Sequence, residues 1–107
     1  MKLYLIQKSK GVNAQAEYDV ETKTFKVLKG SVVSLEVSHS ERFRGTASII
    51  KQRSNGVVKN GKVTQDVEFK SPSTAANFVT GASTNGMIAW KNENGEMLKS
   101  ILSKEEE

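Results

Sequence analysis

Val12, Ala14, Ala16, Tyr18 and Val20 alternate with Asn13, Gln15, Glu17 and Asp19, a period of two that predicts a strand with one wet face. Leu3-Tyr4-Leu5-Ile6 predicts a preceding strand, joined to it through Lys10-Gly11. Phe25 and Val27 alternate next, and Val33, Leu35 and Val37 repeat the pattern after Lys29-Gly30-Ser31, where the glycine suits a bulge or tight turn. The first third of the chain therefore reads as an antiparallel meander with one solvated face.

The period then changes. From Glu41 to Ser54, Phe43, Ala47 and Ile50 stand at i, i+4 and i+7, one stripe of a helix, with Ser40 placed to cap its start and Asn55-Gly56 its end. Gly45 weakens that helix by about 0.8–1 kcal/mol relative to alanine. On a wheel of about 100° per residue starting at Arg42, the stripe centres near about 100°, with Arg42 and Arg53 near about 0–20° and Arg44 and Lys51 near about 180–200°. Cations thus flank the apolar stripe on both sides, and Gly45, Ser48 and Gln52 fall on the outward face.

Asn-Gly punctuates the remainder, at 55–56, 60–61, 85–86 and 94–95. Asn60-Gly61, set between Val57-Val58 and Val63, predicts a two-residue hairpin, and Val67 and Phe69 continue as a strand. Ser71-Pro72 opens a second helix, serine as N-cap and proline at the first position, which Gly81 closes. Residues 86–91 and 96–102 read as a last pair of strands turning at Asn92-Glu93-Asn94-Gly95. The expected fold is one α+β domain over residues 1–104, a mostly antiparallel sheet with two short helices on one face. An acidic tail, Glu105 to Glu107, is expected to fray.

Composition narrows the chemistry. The chain has 107 residues, a prior of one domain, and 36% apolar residues without any run near the roughly 18–20 needed to span a membrane. It has no cysteine and one histidine, so no thiolate nucleophile, disulfide, metal centre or cofactor is expected. Met1-Lys2 leads into only four apolar residues, too few for a signal-peptide core, and the expected location is the cytoplasm. His39, among Ser38, Ser40 and Glu41, reads as a solvated turn residue; a small hydrolase built on it is a minor option. Asp66 and Glu68 share a strand face but supply too few oxygens for a divalent cation. No glycine-rich phosphate loop is present, and no enzyme is expected.

The charge is more informative. Net charge is +4, and from Glu41 to Lys62 there are six cations against the single anion Glu41. Arg42, Arg44, Lys51, Arg53, Lys59 and Lys62 either lay their stems along the core margin with their heads in water, or form basic rails that meet nucleic-acid phosphates. Trp90 and Phe78 allow base stacking, although each stands where a core residue is needed.

The string Phe69-Lys70-Ser71-Pro72-Ser73-Thr74-Ala75-Ala76, followed by Val79-Thr80-Gly81, Asn85-Gly86 and Ala89-Trp90-Lys91, resembles a bacterial domain of unknown function often attached C-terminal to GIY-YIG endonuclease domains. Phe25 to Ser31 and Asn13 to Ala16 fit the same pattern, so the resemblance covers most of residues 12–99. The string is also similar to the RAMA (restriction enzyme adenine methylase associated) domain, an α+β module found with restriction and DNA-modification proteins. Two positions depart from the pattern: Met87 where relatives usually have tryptophan, and Ala82 where many have arginine. The resemblance implies a small DNA-associated accessory module, with any nuclease or modification partner acting in trans.

Each motif residue also has a structural reason to be present, and Ser73, Thr80, Ser83, Thr84 and Asn85 could form a polar rim beside Trp90. The expected function is therefore non-catalytic recognition of nucleic acid, with double-stranded DNA favoured. Phosphates would meet Arg42, Arg44, Lys51, Arg53, Lys59 and Lys62, and readout would come from Ser73, Thr80, Asn85 and Trp90. A protein-interaction module using a sheet edge or polar face is the alternative.

Overall fold

A computed structural model of the chain describes residues 1–35, 37 and 46–105. His39, Ser40, Glu41, Arg42, Phe43, Arg44 and Gly45, and with them the expected first half of the first helix, lie outside the described residues, as do Glu106 and Glu107.

The alternating segments pair as their pattern predicts. Strands β1 (Lys2–Gln7), β2 (Val12–Asp19) and β3 (Thr24–Val27) join β6 (Val67–Phe69) in an antiparallel sheet of order β1-β2-β3-β6. Leu3 faces Ala16 and Leu5 faces Ala14 across the first pair, while Phe25 faces Phe69 and Val27 faces Val67 across the last. These side chains point to one face and are buried, Val67 at the edge only partly, whereas their neighbours Lys2, Asn13, Glu17 and Glu68 point to the other and are exposed. Helix α2 (Pro72–Thr80) packs on the buried face through Ala75, Ala76, Phe78 and Val79. The rings of Phe69 and Phe78 lie 5.1 Å apart, and those of Phe25 and Trp90 4.9 Å apart. The fold is α+β, as the pattern indicates.

Beyond β3 the expected strand is not formed at Val33, Ser34, Leu35 or Val37, Glu36 lying outside the described residues. Val32 alone bridges, to Asn13 on one side and Lys62 on the other. The departure has a local cause at Ser31, which is buried and reaches β2 with its side chain. Its hydroxyl accepts from Gln15 N at 3.0 Å and donates to Gln15 O at 3.1 Å. Gly30, at φ 91°, makes the necessary bend. Strand β2 thus pairs with β3 over its second half and with residue 32 near its start. Through residues 30–33 it also carries a two-stranded hairpin, β4 (Val58–Lys59) and β5 (Lys62–Val63). Asn60 at φ 51° and Gly61 at φ 76° give this hairpin the doubly left-handed turn that Asn-Gly favours.

The C-terminal pair of strands is not formed. Asn85 caps a short helix, α3 (Gly86–Ala89), through its Oδ1, and α4 (Leu98–Glu105) follows. Only the bridge between Lys91 and Met97 survives of the expected hairpin. Leu98, Ile101 and Leu102 stand at i, i+3 and i+4; Leu98 is fully buried and the other two pack against the core. That spacing places the three side chains together on a helix, whereas a strand would send Leu98 and Ile101 to opposite faces. No helix among the described residues is long and apolar enough to cross a membrane.

Candidate nucleic-acid interface

The motif around α2 proves to be a clasp. Ser71 Oγ accepts from Thr74 N at 3.1 Å, Pro72 follows, and Gly81 at φ 72° ends the helix. Ser73, Asn77 and Thr80, at i, i+4 and i+7, then form one polar stripe facing the chain that returns along the helix. Ser73 Oγ accepts from Gly86 N at 3.0 Å and Asn77 Oδ1 from Thr84 N at 2.8 Å. The Thr80 and Thr84 hydroxyls are 2.7 Å apart, each also within reach of Ala82 O. Trp90 Nε1 donates to Pro72 O at 3.0 Å.

These bonds correct part of the expected readout set. Trp90 is wholly buried and its indole N–H is spent on α2, so no base can stack on it. Thr80 is 1% exposed and its hydroxyl is engaged, and the Ser73 hydroxyl holds Gly86. Asn85 is exposed, with its Oδ1 engaged by Met87 N. Among the described residues no group accepts from its Nδ2, leaving that amide to face solvent. Asn77, which sequence reasoning passed over, is the middle member of the clasp; its place at i+4 from Ser73 was the available signal.

The basic residues divide in two. On α1 (Thr46–Arg53) the inward position is Ile49, while Ala47 and Ile50 are exposed. The inward face therefore lies one residue, or about 100°, away from the expected stripe. The rotation follows from Arg53. Its Nε and Nη2 donate to Phe78 O at 3.0 and 2.6 Å, and its Nη1 donates to Ser34 O at 2.6 Å. Ser34 N in turn donates to Val79 O, so beyond the last ladder bond, from Gly81 N to Asn77 O, two successive carbonyls at the C-terminus of α2 are satisfied from outside the helix. A cation at this negative end is electrostatically favourable. Burial pulls the Arg53 pKa below the ordinary guanidinium value, and the group stays charged at neutral pH. Arg53 is thus a helix cap with three of its five N–H donors engaged by backbone carbonyls.

Lys51, Lys59 and Lys62 are exposed. Lys59 and Lys62 face each other across the hairpin and so share one side of it, opposite Val58 and Val63. The turn from α1 is tied to the hairpin by Thr64, whose N donates to Val57 O at 2.8 Å, and the Lys59 stem lies beside Gly56. The three lysines therefore belong to one local unit. Carboxylates gather elsewhere: Glu17, Asp19, Glu21 and Glu68 line a shallow hollow of about 700 Å³ on the open sheet face near the β2–β3 turn.

The family model described as Domain of unknown function (DUF4357) matches residues 5–102. The chain belongs to that family. No curated protein and no solved structure matches it. The DUF4357 match runs from Leu5 in β1 to Leu102 in α4, so it takes in the sheet, the lysine-bearing hairpin and the whole α2 clasp. In this DUF4357 chain the clasp residues act on the fold, and the solvent-facing candidates that remain are Lys51, Lys59, Lys62 and Asn85.

Proposed function

We propose that this domain is a non-catalytic nucleic-acid-binding module with duplex DNA as its ligand, acting beside a nuclease or DNA-modification system. The observation that carries the reading is charge segregation. From Arg42 to Lys62 the chain has six cations and no carboxylate, and Lys51, Lys59 and Lys62 project from one α1–hairpin unit. A carboxylate-free basic segment whose exposed lysines accompany uncharged, exposed Ala47 and Ser48 suits phosphates flanking a groove. The resemblance to domains attached to GIY-YIG nucleases and to the RAMA domain favours the same ligand. With Arg53 spent on α2, the phosphate contacts are Lys51, Lys59 and Lys62 together with Arg42 and Arg44.

Titration of labelled duplex DNA at about 50 and 200 mM salt tests this. Five phosphate contacts predict a loss of affinity of several hundredfold, roughly 500, between those salts. Replacing Lys51, Lys59 and Lys62 together by alanine should lower the salt slope by about three, while fold and stability hold. Absence of binding at low salt would overturn the reading.

A further inference from the structure

The sheet buries one face under α2 and leaves the other open, and the strand register orders charge on that open face. Lys2 stands opposite Glu17, Glu17 opposite Lys26, and Lys26 opposite Glu68, one row crossing β1, β2, β3 and β6. Lys2, Glu17 and Glu68 are exposed and Lys26 is half-buried. Tyr4 and Gln15 form the adjacent row and Ile6 and Asn13 the next, with Ile6 58% exposed. The row has two properties that matter together: its sign alternates, and it has an even number of members.

We propose that this face is a homodimer interface, its occupant a second copy of the chain related by a two-fold axis parallel to the strands and midway between β2 and β3. That axis reverses strand order, so Lys2 meets Glu68 of the second copy and Glu17 meets Lys26 of the second copy, each contact occurring twice as in any isologous interface. Every cation of the row then faces an anion, and Asp19 in the flanking row faces Thr24 of the second copy. An in-plane two-fold running along the row, perpendicular to the strands, keeps strand order and sets like charge on like, which opposes that arrangement. Charge thus favours the axis along the strands over the axis across them.

Four strands about 4.8 Å apart give a face on the order of 400 Å² per copy, half the roughly 800 Å² of a stable complex. The dimer is accordingly transient, populated at high concentration and low salt. It does not depend on the DNA reading.

Sedimentation equilibrium of the full chain from about 10 µM to 1 mM, at about 20 and 500 mM salt, tests the interface. Self-association is expected at low salt and its loss at high salt. Lys26→Glu and Glu17→Lys each create two like-charged contacts in the dimer, so each should weaken self-association roughly tenfold or more. Mixed together, the two variants restore opposite charge at every contact and should associate with each other at least as well as the parent chain. Charge pairing within a single sheet cannot produce that complementation. Should either reversed variant fail to fold, Glu17→Gln and Lys26→Gln keep the test open: each alone loses two ion contacts, and the mixture loses only one. A chain that stays monomeric at low salt, or self-association indifferent to Lys26→Glu, or variants that do not complement, would overturn the proposal.

Discussion

Gly86→Ala probes the contact on which the C-terminal third depends. Gly86 opens α3 directly against the start of α2, and its φ is not in the left-handed region, so backbone conformation is not why it is glycine. A Cβ there would lie 2.2 Å from Pro72 C, 2.3 Å from Pro72 O and 2.5 Å from Ser73 N, against about 3.5–4.0 Å for a relaxed carbon contact. All three atoms are backbone, so relief requires α3 to move away from α2 as a body. That movement breaks the 3.0 Å bond from Gly86 N to Ser73 Oγ and lengthens the 3.0 Å bond from Trp90 Nε1 to Pro72 O. Overpacking costs about 1–3 kcal/mol and the two partly buried hydrogen bonds about 1 kcal/mol each, so the expected loss is about 3–5 kcal/mol. Set against a total of about 5–15 kcal/mol for an ordinary domain, this is a large fraction. Urea denaturation followed by circular dichroism measures it. Gly95→Ala is the control: φ there is 81° with nothing within 4 Å of the added carbon, so only the left-handed penalty of about 1–2 kcal/mol applies. If Gly86→Ala costs no more than Gly95→Ala, the packing argument is refuted.

Three further outcomes follow from the same geometry. Arg53→Ala should cost about 2–4 kcal/mol by removing the charged donors from Phe78 O and Ser34 O, yet leave the salt slope of DNA binding unchanged; Arg53→Lys should recover only part, since an ammonium lacks the fork that reaches both carbonyls. Asn77→Ala should cost about 1–2 kcal/mol and speed amide exchange at Thr84, the donor it strands. Trp90→Phe removes a hydrogen bond and volume from a fully buried site, and a loss of about 2–4 kcal/mol in thermal unfolding is expected even though both residues are aromatic.

Where a local rule had no competitor, the sequence was readable. Ser71, Pro72 and Gly81 mark both ends of α2, Asn60-Gly61 marks its hairpin, and the period-two run of β2 sorts its two faces correctly. The failures have specific causes. Leu98, Ile101 and Leu102 carry a helical spacing in too short a run to outweigh the turn signal at Asn92 to Gly95, which invited a hairpin. The stripe on α1 was misplaced because a guanidinium, not an apolar group, occupies its inward face at Arg53, and hydrophobic periodicity cannot register a cation that caps another helix. Of the expected polar rim, Thr80 and Thr84 meet at one end of α2, and Ser73 lies about two turns away on the same stripe, bonded to Gly86. Their donors and acceptors are turned toward one another and toward the backbone, a distinction that composition and spacing do not contain.

Ser31 has a consequence for how the molecule opens. Gln15 O accepts from Leu28 N at 2.8 Å as in a regular ladder, but Gln15 N is bonded to the Ser31 hydroxyl, so at that amide the seam between the four-stranded sheet and the hairpin unit is held by a rotatable side chain. Such a seam separates under small fluctuations while the ladders on either side stay closed. In native-state hydrogen exchange the Gln15 amide should therefore exchange through local opening, well ahead of Ala14 and Ala16 beside it. The lysine-bearing unit keeps its hold on β2 meanwhile through the reciprocal peptide bonds of Asn13 and Val32, so the opening stays confined to the Ser31 contact.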